Sequence, residues 1–395
     1  SANMIDPRSY FYLHDFLKSK QGENVIIPST WIFDIEEEKK YLVKGDLDEQ
    51  FSRKGCNSLL ASTTNDATYY YSECSNNNFD EWAKIYNQLV GQPQMFGFYT
   101  ELDVVKNEIS RVQGNVKTEL RNRIMLESAF PGVPYGTAVR GHLEDVEKIT
   151  PDQTREFYRS YYDPSKIVVV VVGSMSPREM IRRLETQFSQ YPTREKVNDS
   201  TAADSAKFSS KEVIIEGEQS FQAEGYYRPR LSDASHSFRR DVVHELLAKT
   251  LCSAEFSPLH KKLVTEKKLA EALTCDPLYP GRRFTNMFFI VLDRKSGVSP
   301  ATLHHEFVEA MKDISFTDDE VAGAFSQLEQ ERGEALTSSR LVNQLADAQQ
   351  YYGDWSLYLS RVEEMKKITV AELNRAAKEL FKDDRRISLW FEKKK

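Results

Sequence analysis

The sequence predicts an α+β fold made of two related domains. Three observations carry that expectation. A run of small and polar residues without periodicity at 198–210 divides the 395 residues into halves of similar size. Helical and strand periods follow one another in matching order in the two halves. Short segments also recur 219 residues apart: Lys148-Ile149-Thr150 returns as Lys367-Ile368-Thr369. The same separation lays Thr68-Tyr69-Tyr70-Tyr71 on Met287-Phe288-Phe289-Ile290, Tyr161-Tyr162 on Leu380-Phe381, and Val168 to Val172 on Ile387 to Phe391.

Each element has a local cause. Leu102, Val105, Ile109 and Val112 fall on one side of a helix expected from Glu101 to Leu120. Thr150 as N-cap and Pro151 at the first helical position open a helix that runs to Tyr161 and stops before Asp163-Pro164. The aliphatic run Ile167 to Val172 predicts a buried strand closing at Gly173, and Ser176-Pro177 caps a helix from Arg178 to Phe188. In the second half a strand pair is expected around Glu212 to Tyr227, then a helix from Phe238 to Leu251. The repeat fails at the front: the counterpart of Glu212 falls before residue 1. The counterpart of Asp241 to Leu251 falls at Gly22 to Ile32, where Asn24-Val25-Ile26-Ile27-Pro28 reads as strand. The expected organisation is an N-terminal domain at 1–197 with an atypical or incomplete first fifty residues, a linker at 198–210, and a homologous C-terminal domain at 211–395.

Composition narrows the function. Sixty acidic against 53 basic residues give a net charge of −7, which argues against a nucleic-acid binder, since such proteins need basic surface to displace counterions. The longest aliphatic run, Ile167 to Val172, is far short of the ~20 residues of a bilayer-spanning helix. Cys56, Cys74, Cys252 and Cys275 form no Cys-x-x-Cys pair. As four free thiols they suit a reducing compartment, cytoplasmic or organellar; one or two disulfides are the alternative, as is a periplasmic location after loss of a signal peptide. No signal peptide is visible, and Ser1-Ala2-Asn3 before Met4 reads as a tag remnant. His304-His305 are adjacent on a helix, point about 100° apart and are expected on its surface rather than on one ion.

Several segments together resemble the pitrilysin/insulinase family of zinc peptidases, the inverzincins. Pro134-Tyr135-Gly136, Gly141, Ile149-Thr150, Phe157-Tyr158, Tyr162-Asp163-Pro164 and Val168 to Gly173 stand in the family's order and spacing. Gly55, Ala61, Thr63 and Asp66-Ala67-Thr68-Tyr69-Tyr70 resemble the strand that follows its active-site helix. Ser257 with Leu259 to Leu263 and Glu266 to Ala270 resemble its second-domain helix and turn. The resemblance spans about residues 50 to 392. It implies the LuxS/pitrilysin-like metalloenzyme fold, each domain a sheet with helices packed on one face, and a chamber formed by two two-domain units around a peptide. It also implies an H-x-x-E-H helix whose two histidines and a downstream Glu bind zinc while the helix Glu acts as general base.

That chemistry is missing from the chain. No two of its seven histidines stand four apart. The nearest remnant, Tyr10-Phe11-Tyr12-Leu13-His14, puts Tyr10 at a ligand position and Leu13 at the base. Glu108 falls where the family places its downstream ligand, a vestigial metal candidate whose bland alternative is a solvated helical Glu near Arg111. The positions of the Arg and Tyr that contact the substrate carbonyl hold Val264 and Glu271, and the family's Asn before Ala61 is Leu60.

The expectation is a catalytically silent homologue without a cofactor, a structural or peptide-binding subunit with Ala61, Ser62, Thr63 and Thr64 along the peptide. Its partner would be a second copy or an active pitrilysin-like subunit. The alternative is an active zinc metalloendopeptidase whose site is completed by residues outside this chain or by a partner. A third reading is a scaffold that binds no peptide.

Overall fold

The computed structural model describes residues 46–57, 60–91, 93, 98–189, 209–231, 234–253, 255–336 and 340–392. The Tyr10–His14 remnant, the strand reading at Asn24–Pro28 and most of the 198–210 linker lie outside the described residues.

In the N-terminal half, helix α1 (Asp46–Arg53) leads into a hairpin of β1 (Leu60–Thr63) and β2 (Thr68–Tyr71). Helices α2 (Phe79–Gly91) and α3 (Phe98–Gln113) follow, then a helical run α4 (116–129), which passes through a π-turn at Leu120–Ile124. Helices α5 (Leu143–Val146), α6 (Pro151–Tyr161) and α7 (Pro177–Phe188) follow among the described residues.

The helix expected from Glu101 to Leu120 is two helices. Gly114 ends the first, and the Asn115 side chain accepts from the Thr118 amide to cap the second. The strand expected at Ile167 to Val172 is only half-buried: Val168, Val169 and Val172 are 43%, 44% and 51% exposed while Ile167, Val170 and Val171 are partly covered, and no ladder joins the segment to another described residue. Its counterpart in the other half is covered by two neighbouring strands. The positions equivalent to those neighbours fall before residue 10, outside the described residues.

The C-terminal half is built on five strands: β3 (Lys211–Glu216), β4 (Phe221–Arg228), β5 (Ala270–Tyr279), β6 (Asn286–Arg294) and β7 (Arg386–Glu392), in the order β3-β7-β4-β6-β5. The expected pairing of β3 with β4 is therefore corrected. The last strand, β7, lies between them, parallel to β3 and antiparallel to β4. Every residue of β4 is buried, as befits a strand with neighbours on both sides and cover on both faces.

One face carries helices α8 (Ala234–Cys252), α10 (Pro300–Lys312), α11 (Asp318–Leu336), α13 (Ser356–Lys366) and α14 (Val370–Leu380), with the short helical segment α9 (258–266) alongside. Phe238, Val242, Leu246, Leu247 and Leu251 of α8 repeat at helical spacing into the sheet. Helix α12 (Arg340–Tyr352) packs against α8 and α13.

The other face is covered by the N-terminal half. Leu120, Met125, Leu126, Ala129 and Phe130 of α4 and its exit pack on Ala223, Tyr227, Met287, Phe289, Ile387 and Leu389. Gly225 makes that approach possible, because a Cβ there would lie 2.5 Å from Met287 Sδ and 3.0 Å from Met125 Cε.

The duplication is visible in the helix ends. Helices α6 and α14 begin and end 219 residues apart, capped by Thr150 and Thr369, and the single turns after them, Pro164–Lys166 and Asp383–Arg385, keep the same separation.

Candidate functional site

Among the described residues, strand β1 lies at an edge. All four of its residues are exposed, and among the described residues it pairs only with β2, in the register Ala61↔Tyr70 and Thr63↔Thr68. The Thr64 amide donates to the Ala67 carbonyl at 2.9 Å, which makes Thr64 and Ala67 the hydrogen-bonded pair closing the turn. Alternation along an antiparallel ladder then leaves the main-chain groups of Ala61 and Thr63 pointing to the free edge. The Thr64 hydroxyl is committed to the turn, accepting from the Asp66 and Ala67 amides. Of the four expected peptide-binding residues, the first three lie on the edge strand and Thr64 begins its turn.

The hairpin is held at both ends. At its base Cys56 and Cys74 form a disulfide across an antiparallel bridge. The second pair, Cys252–Cys275, ties α8 to β5. This corrects the free-thiol reading: all four cysteines are bonded. Cys56 and Cys275, equivalent by the repeat, have partners that are not equivalent.

At the other end the Asp66 carboxylate enters a cluster from three elements. Oδ1 accepts from Tyr135 Oη at 2.5 Å; Oδ2 accepts from the Arg282 amide at 2.6 Å and from Tyr351 Oη at 3.0 Å. The loop backbone comes this close because residue 281 is glycine; a Cβ there would lie 2.2 Å from Asp66 Oδ2. On β2, Tyr69 donates to Asp347 at 2.5 Å, and Tyr70 shares a 2.7 Å hydrogen bond with Tyr162. Burial raises the Tyr69, Tyr135 and Tyr351 phenols above their ordinary range, so they act as donors to carboxylates. Burial likewise raises Asp347 above the usual carboxylate value.

Behind this cluster lies a second network on α8. Arg282 pairs with Glu245 and Asp347 at 3.5 Å each, and Arg228 reaches Asp241 at 2.6 Å and His244 Nδ1 at 2.5 Å. Tyr352 Oη donates to Asp241 at 2.8 Å. Asp66 and Tyr135 stand in segments that carry the family resemblance, but residues 241, 282 and 347–352 carried no motif, and only the fold brings them together.

The expected metal ligand stands apart from them. Glu108, on α3, accepts from Arg140 Nε at 2.8 Å rather than meeting Arg111, and no three His, Cys, Asp or Glu side chains among the described residues form a metal-holding group. A single carboxylate already paired with a guanidinium is a poor donor set for zinc, so the described residues do not fit that ion. His14 lies outside the described residues. His304 is not the surface residue expected: it stacks on Trp390 at 4.0 Å with Nδ1 3.1 Å from the buried Glu224, while His305 is exposed. Val264 packs on the core, and Glu271 is exposed on β5.

Residues 148–328 match the family described as Peptidase M16 inactive domain. The zinc protease PqqE of Helicobacter pylori is 21% identical over 360 residues, covering 87% of this chain and 78% of that protein. A protein of Arabidopsis thaliana named "Probable mitochondrial-processing peptidase subunit beta, mitochondrial" is 25% identical over 162 residues; the match spans 39% of this chain and only 30% of that protein. A crystal structure of a protease from Helicobacter pylori superposes with a TM-score of 0.78 at 21% identity, over 89% of this chain and 85% of that one. Residues 148–328 are thus similar to the Peptidase M16 inactive domain, and the chain shares its fold with M16-like peptidases.

Proposed function

We propose that this chain is a catalytically silent pitrilysin-like homologue that holds an extended peptide along β1 and serves as one unit of a peptidase-type chamber. The observation that carries the reading is the contrast between two parts of the site. The edge strand is present, exposed and pinned, whereas the sequence has no H-x-x-E-H and the surviving Glu108 is committed to Arg140.

A peptide adding to β1 would exchange main-chain hydrogen bonds with Ala61 and Thr63, a mode that needs no metal and little side-chain specificity. The boundary we assign between the paired domains is the 198–210 linker. The partner is a second copy or an active subunit; that the Arabidopsis relative is named as a subunit supports the latter. Two disulfides favour an oxidising compartment.

The test is Ala61→Pro. Proline there removes an outward amide without touching the Ser62–Tyr69 pair, a position an edge strand tolerates. Binding of fluorescein-labelled unstructured peptides, read by anisotropy, is expected in the parent chain and lost in the variant. Equal binding by both would refute the edge-strand assignment.

A further inference from the structure

We propose that Asp66 is a positioning residue: it fixes the angle of the β1 edge against the C-terminal half, so that peptide capture depends on how the two halves are docked. This rests on the peptide-holding reading above.

The geometry is that of a saturated anchor. A carboxylate is an acceptor with room for about four donors. Asp66 meets four: Tyr135 Oη at 2.5 Å, the Arg282 amide at 2.6 Å, Tyr351 Oη at 3.0 Å and the Arg283 amide at 3.4 Å. Nothing is left over for a peptide or an ion, so its part in binding is indirect. The donors come from the Pro134–Gly136 turn, the β5–β6 loop and α12, three of the four in the C-terminal half.

Tyr135 also accepts from the Arg283 amide at 2.9 Å, which ties the loop to the N-terminal half a second time. Tyr69 gives β2 its own tether to Asp347, and Asp347 faces Arg282. The edge strand is therefore clamped by a disulfide at its base and by this anchor at its tip, while its free side stays open. Loosening the tip would let β1 swing and lose the fixed line of main-chain groups on which an added strand depends.

The experiment uses the full chain and three variants: Asp66→Asn, Tyr351→Phe and the two combined. Amide exchange over residues 60–71 and the dissociation constant of one labelled extended peptide are measured for each, with far-ultraviolet dichroism confirming the fold. Asp66→Asn is expected to speed exchange in the hairpin and to weaken peptide binding about tenfold, the scale of a charge-assisted hydrogen bond. Tyr351→Phe is expected to do the same to a lesser degree. The double variant should lose less than the sum of the two single losses, because the Tyr351–Asp66 hydrogen bond is removed by either change, while Tyr351 keeps contacts of its own to Tyr69 and Arg282. Unchanged exchange and affinity in Asp66→Asn would overturn the proposal, as would additive losses in the double variant. If the parent chain binds no peptide, the capture reading fails and the positioning role falls with it, whereas binding that ignores the anchor defeats the inference alone.

Discussion

Arg140 donates from Nε to Glu108 Oε1 at 2.8 Å, and the two side chains are 39% and 40% exposed. The resemblance to the family put a zinc ligand at Glu108, yet the pair has the form of an ordinary surface ion pair. Such pairs contribute at most about 1 kcal/mol. Glu108→Gln should therefore shift the urea midpoint little, and peptide binding should not change. Loss of a bound metal on that substitution, read by elemental analysis, would show that Glu108 is a ligand.

Acid stability should depend on His244. Burial, with Arg228 and Arg240 beside it, holds its imidazole well below the ordinary 6.5, and the ring serves Arg228 as a neutral acceptor. The unfolded chain therefore takes up the proton first. The stabilisation is complete above about pH 6.5 and is lost as pH falls below it. His244→Asn keeps an acceptor for Arg228 and should flatten the fall in denaturant midpoint below pH 6.5. Asp347, raised by burial, acts with the opposite sign at lower pH.

Both disulfides should be present in protein made under oxidising conditions. Alkylation after denaturation, counted by mass spectrometry, is expected to find no free thiol. Closing loops of 18 and 23 residues should stabilise by ~3 kcal/mol each on a chain-entropy account. Loss of Cys56–Cys74 should also loosen the edge hairpin. Four alkylated cysteines would contradict the pairing.

The repeat predicts matched costs at matched caps. Thr150 accepts from the Gln153 amide and Thr369 from the Glu372 amide. Replacing either by alanine should destabilise by about 1 kcal/mol, visible as a shift in thermal midpoint. Thr369→Ala should act on the more deeply packed helix, since Leu373, Ala377 and Leu380 are buried while Phe157 and Tyr161 are exposed.

Much of this was legible in the sequence because it is local. Thr150-Pro151 and Tyr161 mark a helix from end to end, since capping and proline chemistry act within a turn. The duplication showed itself through the same local signals. What depends on distant partners was not legible. Nothing in Glu212–Tyr227 says that β7 will insert between two strands more than 150 residues earlier. The valine run promised a buried strand, but burial belongs to neighbours, and no strand among the described residues pairs with it. The Asp66 anchor was invisible for the same reason: its donors stand 69, 216 and 285 residues away along the chain.

Metal content of the purified chain by mass spectrometry, paired with cleavage of a quenched peptide library with and without added zinc, tests catalytic silence most directly. A silent chain holds substoichiometric zinc and shows no cleavage that zinc restores or a chelator removes. One tightly bound zinc per chain, with chelator-sensitive cleavage abolished by Glu108→Ala, would contradict it.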